Sequence, residues 1–170
     1  MMNAIDYALK LETDGKAYYM KQAECTSDPQ LKQLFTMLAN DEQRHYEIIK
    51  GFKDKNYTYR GTYTFKTTRN MFSEMLQDSR CFDIEATNLE AYEHAVEMEK
   101  ESVKLYLDQA KVTKEPSEKE ILIKLAAEEN KHQIILENLM DFIRKGRDWA
   151  ESPEFSHLEE WDEITDLDKY

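Results

Sequence analysis

Sliding the sequence against itself by 87 positions aligns residues 4–49 with residues 91–136 without a gap. Fourteen of the 46 aligned pairs are identical, among them Glu12/Glu99, Tyr19/Tyr106, Pro29/Pro116, Glu42/Glu129 and His45/His132. Asp28/Glu115 and Asp41/Glu128 are conservative matches. A repeat constrains the fold more than composition does, because one unit must be usable twice around a shared core.

Each repeat has the pattern of a helical hairpin. Ile5, Leu9, Glu12, Lys16 and Tyr19 recur at spacings of three and four, the period of one helix face. Thr26-Ser27-Asp28 then makes a turn, and Pro29 falls where a helix tolerates proline, in its first turn. The next helix carries Leu31, Leu34, Phe35, Leu38, Glu42, His45 and Ile49 on one face. The second repeat matches it with Val96, Glu99, Val103 and Tyr106, then Leu122, Leu125, Glu129, His132 and Leu136. Thr87-x-x-Glu90 reads as a capping box opening the third long helix.

The connections set the topology. About three residues join the helices inside each repeat, which makes them antiparallel neighbours. Roughly thirty residues, Lys55 to Ala86, lie between the repeats, enough to run back along a helix of about 26 residues, or ~39 Å. Two short hairpins joined by one long crossover define an all-α, ferritin-like four-helix bundle over residues 1–146. Within the crossover, Tyr57, Tyr59, Tyr63 and Phe65 alternate, predicting an extended segment lying on the bundle, and Asn70–Gln77 reads as a short helix.

Composition narrows the function classes. The formal net charge is −12, which disfavours a nucleic-acid partner, since phosphate contact needs a basic face. No run approaches ~18 uncharged apolar residues, so no membrane span is expected, and Asp6 interrupts any leader-like start. Cys25 and Cys81 form no Cys-x-x-Cys, which points to a reducing, cytoplasmic setting and makes a Cys25–Cys81 disulfide the less expected state. Residues 147–170 hold nine acids, two bases and the apolar Trp149, Phe155, Leu158, Trp161, Ile164 and Leu167. That mixture reads as a second region, an acidic aromatic tail docking on the bundle or on a partner subunit.

Six residues carry the chemistry: Glu12, Glu42, His45, Glu99, Glu129 and His132. Two helices each offer one Glu, and the other two each offer Glu-x-x-His, which stacks carboxylate and imidazole one turn apart. All six sit on otherwise apolar stripes and should point inward. Four buried carboxylates are strongly unfavourable without positive charge, and two divalent cations would supply +4 against −4. An oxygen-rich set with two imidazoles and no thiolate suits two Fe ions, or Mn, better than structural zinc. Tyr19 and Tyr106 follow their glutamates by two turns and should donate to the facing carboxylates. Asp41 and Glu128 precede the ligand glutamates and are placed to accept the outer ring N–H of the histidine on the opposite hairpin. His94, His157, Glu97 and Glu101 fall off the stripes and read as surface groups.

These motifs resemble the rubrerythrin family of ferritin-like di-iron proteins over about residues 3–146. The likeness rests on Leu11-Glu12 with Tyr18-Tyr19, Asp41-Glu42-Gln43-Arg44-His45, Met98-Glu99-Lys100-Glu101-Ser102 with Tyr106, and Glu128-Glu129-Asn130-Lys131-His132. The tail segment from Trp149 to Phe155 is similar to segments that come after the bundle in that family. The resemblance implies a non-haem di-iron oxidoreductase that reduces peroxide or dioxygen, peroxidase- or ferroxidase-like, often as a homodimer. Two features depart from the family pattern. An extra ligand glutamate one turn after the third-helix ligand is Ser102 here, and the paired cysteines of a rubredoxin domain are missing. Electrons would then come from a separate donor or from Fe(II) itself. The alternative reading is a non-enzymatic iron-binding, storage or sensor protein using the same ligands.

Overall fold

Five helices span the residues that the computed structural model describes, 3–77 and 89–145: α1 (Ala4–Cys25), α2 (Pro29–Phe52), α3 (Thr64–Gln77), α4 (Leu89–Val112) and α5 (Pro116–Lys145). No strand occurs among them. Local chemistry explains where the long helices begin. The Asn3 side chain accepts from the Asp6 N–H at 2.8 Å, capping α1. Asp28 accepts from the Gln30 and Leu31 N–H groups at 2.8 and 3.1 Å, and Pro29 fills the first position of α2, where no N–H is needed. Glu115 precedes Pro116 in the same way, with its carboxylate 3.3 Å from the Ser117 nitrogen. Thr87 lies outside the described residues, as do Cys81 and the segment 147–170. Cys25 is exposed and free.

Residues 26–28 and 113–115 are the short joints, and α1 packs along α2 as α4 packs along α5. The α1 and α4 helices meet across the bundle, and α3 lies against α2 and α5. Two apolar clusters fill the interior. One gathers Tyr19, Leu34, Phe35, Leu38, Tyr92 and Leu136 with Met71 and Phe72 of α3. The other gathers Leu9, Ile49, Phe52, Tyr106, Leu122 and Leu125 at the opposite end. Each fully buried aliphatic or Phe side chain contributes ~1.5–3 kcal/mol, so the two ends hold the bundle shut. Between them α1, α2, α4 and α5 each contribute polar residues to a buried belt. No described helix is long and apolar enough to cross a membrane.

The crossover leaves α2 through a tight turn. The Asn56 N–H donates to the Gly51 carbonyl at 2.9 Å, and Lys55 takes the left-handed conformation at φ 54°. A Cβ on Gly51 would lie 2.8 Å from the Asn56 carbonyl oxygen, so a side chain there would collide with backbone. Residues 56–63 are not helical, and Tyr57 and Tyr59 pack on the second apolar cluster while Tyr63 is 78% exposed. The short helix expected at Asn70–Gln77 starts earlier, at Thr64, so Phe65 is helical rather than part of the extended segment. Tertiary packing overrides the weak helix propensity of its threonines: Thr64, Thr68, Met71 and Phe72 form one buried face, and Phe72 stacks on Phe142 at 5.1 Å.

Candidate metal centre

All six predicted ligand residues lie in the belt, none more than 4% exposed. α1 presents Glu12, α2 Glu42 and His45, α4 Glu99, and α5 Glu129 and His132. They form two overlapping groups in which one ligand atom from each residue lies within 4.8 Å of the others: Glu12, Glu42, His45 and Glu129, and Glu42, Glu99, Glu129 and His132. Glu42 and Glu129 belong to both groups, and Glu12 and Glu99 to one each. The imidazoles face one another across the centre with ring centroids 5.6 Å apart.

Both Nδ1 atoms point inward. His45 Nδ1 is 2.9 Å from Glu129 Oε1 and 3.6 Å from Glu12 Oε2. His132 Nδ1 is 3.1 Å from both Glu42 Oε1 and Glu129 Oε2, yet neither oxygen is aligned to form a hydrogen bond with it. Glu12 Oε2, Glu42 Oε1, Glu129 Oε2 and His132 Nδ1 are buried without a hydrogen-bond partner. Buried polar atoms are almost always paired, and leaving one unpaired costs about 1–3 kcal/mol. Four such atoms converge from α1, α2 and α5, an arrangement that fits a cation. The donor set passes the same test: carboxylate oxygen with imidazole nitrogen suits Fe or Mn.

The outer faces of the ligands are satisfied by protein. His45 Nε2 lies 2.7 Å from Glu128 Oε2, and His132 Nε2 lies 3.3 Å from Asp41 Oδ2, each across to the opposite hairpin. Tyr19 donates to Glu99, and Tyr106 donates to Glu12. The Tyr106 phenol occupies Oε1 of Glu12 and leaves Oε2 unpaired toward the centre, while the Glu99 oxygen that takes Tyr19, Oε1, also lies 3.6 Å from His132 Nδ1.

Burial and mutual repulsion shift the charges of the cluster's groups. Burial, then the charges of Glu129 and Glu42, push Glu12 well above the ordinary carboxylate range. Glu42 is raised by burial and by Glu129, and Glu99 is pushed up to about 8 by burial, then by Glu42 and Glu129. Glu129 goes the other way. Burial works to raise it, but the neighbouring imidazoles of His45 and His132 outweigh burial and hold it below the usual range. Burial likewise works to lower both imidazoles, and the surrounding carboxylates overcome it, raising His45 and His132 well above 6.5. Protons stand in, partially, for the positive charge that four inward carboxylates require.

The crossover contributes residues that the sequence pattern did not single out. Glu128 Oε1 accepts from the Tyr59 hydroxyl at 2.7 Å and from the Thr62 N–H at 3.1 Å. The alternation of aromatics marks Tyr59 as packing on the bundle, but no spacing rule connects residue 59 to residue 128. Gly15 gives the cluster room on the α1 side: a Cβ there would lie 2.8 Å from Glu42 Oε2. Ser102, its counterpart in the aligned repeat, is also buried and lines a narrow gap with Gly15, Glu42 and Glu99. A cleft of about 260 Å³ between α1 and α2, lined by Glu12, Thr13, Lys16, Glu42, Gln43 and Tyr46, reaches the cluster from outside. His94, Glu97 and Glu101 are exposed, and His157 lies outside the described residues.

An all-helical, ferritin-like protein with a buried carboxylate–histidine cluster that could bind metal is the class that fold and site define together. The rubrerythrin family model matches residues 3–140, and the chain belongs to that family. Comparison with curated proteins and comparison with solved structures each give no match.

Proposed function

We propose that this chain is a non-haem di-iron carboxylate oxidoreductase that reduces peroxide or dioxygen, with Mn as the alternative metal. The observation that carries the reading is the pair of overlapping buried ligand groups sharing Glu42 and Glu129, with four inward atoms left unpaired. Glu12, Glu42 and Glu129 with His45 would hold one ion, and Glu42, Glu99 and Glu129 with His132 the other. When bound, two Fe(II) ions supply the two electrons that, with two protons, convert H₂O₂ to two waters.

The chain's own part is placement and exclusion. The two apolar clusters exclude water from both ends of the belt, which strengthens every charge interaction inside it. Tyr19 and Tyr106 each donate to one oxygen of Glu99 and Glu12 and fix how those carboxylates turn. Asp41 and Glu128 orient the imidazoles from behind. The cleft beside Glu12 and Glu42 admits a molecule the size of peroxide or dioxygen. Re-reduction would come from a separate electron donor. Residues 1–146 would form the working unit, with 147–170 docking on it or on the partner of a homodimer.

Anaerobic Fe(II) loading followed by metal analysis tests the reading first. About two ions per chain are expected; fewer than about one, with no oxo-bridge absorption on air exposure, would overturn it. Rapid mixing of loaded protein with H₂O₂ and with O₂ then tests turnover. Fast stoichiometric oxidation that repeats after re-reduction supports an enzyme. Slow oxidation with iron release or mineral growth supports an iron-binding, storage or sensor protein instead.

A further inference from the structure

The two halves of the centre use the same ligand types but are backed differently. Behind His45, both oxygens of Glu128 are engaged: Oε2 faces the imidazole at 2.7 Å, while Oε1 takes the Tyr59 hydroxyl and the Thr62 N–H. Those two donors lie on the non-helical strap of residues 56–63, which is itself anchored. Tyr57 packs against Phe52 with ring centroids 5.7 Å apart, and the Lys124 ammonium sits 5.1 Å over the Tyr59 ring. Behind His132, Asp41 approaches at a longer 3.3 Å, and among the described residues no strap group donates to it. A carboxylate held by two further donors cannot swing, so the ring it holds is fixed in one orientation, with Nδ1 facing Glu129 Oε1 at the centre. A carboxylate with a single long contact leaves its ring room to turn.

We propose that the strap makes the two metal positions inequivalent. Acting through Glu128, Tyr59 and Thr62 pre-orient His45, so the position formed by Glu12, Glu42, His45 and Glu129 takes the first ion. The position formed by Glu42, Glu99, Glu129 and His132 fills second and more weakly. Tyr59 is a positioning residue that touches no ligand atom directed at the centre. The inference rests on the reading that the cluster binds two ions, and it adds an order of filling that equal ligand types would not produce. Pre-organisation is the source of the difference, because a ligand already in its bound orientation loses less freedom when the ion arrives.

Anaerobic titration of the metal-free full chain with Co(II), followed by its visible absorption, tests this directly. Two resolved steps are expected. His45→Ala should remove the tighter step and His132→Ala the weaker one. Tyr59→Phe keeps the ring under Lys124 and removes only the hydroxyl. It should weaken the tighter step up to about 10-fold while leaving the weaker step within about twofold, the low end of what losing support behind a metal ligand costs. Its circular dichroism and melting temperature without metal should match the parent, separating positioning from folding. Asp41→Asn should move the weaker step alone. One-step binding of two equivalent ions by the parent chain would overturn the proposal. So would a Tyr59→Phe chain whose tighter step is unmoved, or one in which both steps weaken equally. A parent chain that binds no Co(II) and no Fe(II) would instead overturn the metal reading beneath it, a distinguishable result.

Discussion

The hairpin of α1 and α2 and the hairpin of α4 and α5 meet at the centre with matching ligands and unlike surroundings. Glu12 answers Glu99, Glu42 answers Glu129, His45 answers His132, and each tyrosine reaches across to the other hairpin's terminal glutamate. One turn beyond those glutamates, Gly15 stands opposite Ser102 in the alignment. Among the described residues, the carboxylate behind one histidine is Glu128, with three partners, and behind the other Asp41, with one. The two hairpins match in the residue types that face the centre and in the tyrosines that hold their glutamates, and differ in what stands behind the imidazoles. A cation demands donor type and charge from its ligands, whereas the packing behind them can vary and tune each ligand separately.

The hardest blow to this pairing is removal of a shared carboxylate. Glu129 contributes to both ligand groups and contacts both imidazoles. Glu129→Ala should therefore abolish binding of both ions, from about two per chain to none by metal analysis. Glu12→Ala, which touches one group only, should leave about one ion bound. Exposed Glu101→Ala should leave two. Loss of both ions from Glu12→Ala would show that neither position fills alone, and the division into two groups would fail.

How much of this is legible in the sequence depends on the range of the signal. The six candidate ligand residues can be read because helix periodicity places Glu42 and His45 one turn apart on a stripe of leucines, a local geometry. The crossing contacts of Asp41 with His132 and Glu128 with His45 are the outcome of facing antiparallel hairpins with short joints. The strap's grip on Glu128 is not legible, because it depends on where an irregular chain segment settles, which no periodicity encodes. The start of α3 is hidden for a related reason: Thr64 and Thr68 are poor helix formers, and burial against α2 and α5, not propensity, decides their state. Gly15 is visible in the sequence as a small residue, but its proximity to Glu42 Oε2 needs coordinates.

The next effect in size concerns pH and the protein without metal. Glu12 and Glu99 are both raised by burial and neighbouring carboxylates, Glu99 from 4.5 to about 8. An acid whose folded value is raised contributes stability that is complete below its unfolded value and lost as pH climbs through the folded one. His45 and His132, also raised, lose their contribution in the same direction, starting above 6.5. Glu128 and Glu129 are lowered and matter only in acid, as pH falls below 4.5. Metal-free protein should thus melt at progressively lower temperature between about pH 5 and 8. Bound divalent ions should flatten that slope by replacing protons as the neutralising charge. Glu99→Gln and Glu12→Gln should each flatten it by a like amount in the metal-free protein. A response confined to one of them would mean that the hairpins do not share the electrostatic load.

The smallest effect separates Gly15 from Ser102. An added Cβ at residue 15 would come within 2.8 Å of Glu42 Oε2, closer than real Cβ contacts run, while Ser102 already carries one. The atom in the way is the end of a flexible side chain, so the carboxylate moves and the helix does not. Fold stability should not suffer, because Gly→Ala within a helix gains roughly 1 kcal/mol of propensity. Glu42 belongs to both ligand groups, however, and its displacement should weaken metal binding by roughly tenfold, the scale of about 1.4 kcal/mol. Ser102→Ala removes only a hydroxyl at the edge of the narrow gap and should leave both stability and affinity nearly unchanged. Melting curves of the metal-free proteins read beside Co(II) titrations decide the matter, since the two readouts should move in opposite directions for Gly15→Ala. If Gly15→Ala melts higher and binds as tightly as the parent, Glu42 has slack that the packing does not reveal. The glycine would then serve only the close approach of α1 to its neighbours, and the difference between the hairpins at this position would carry no consequence for the centre.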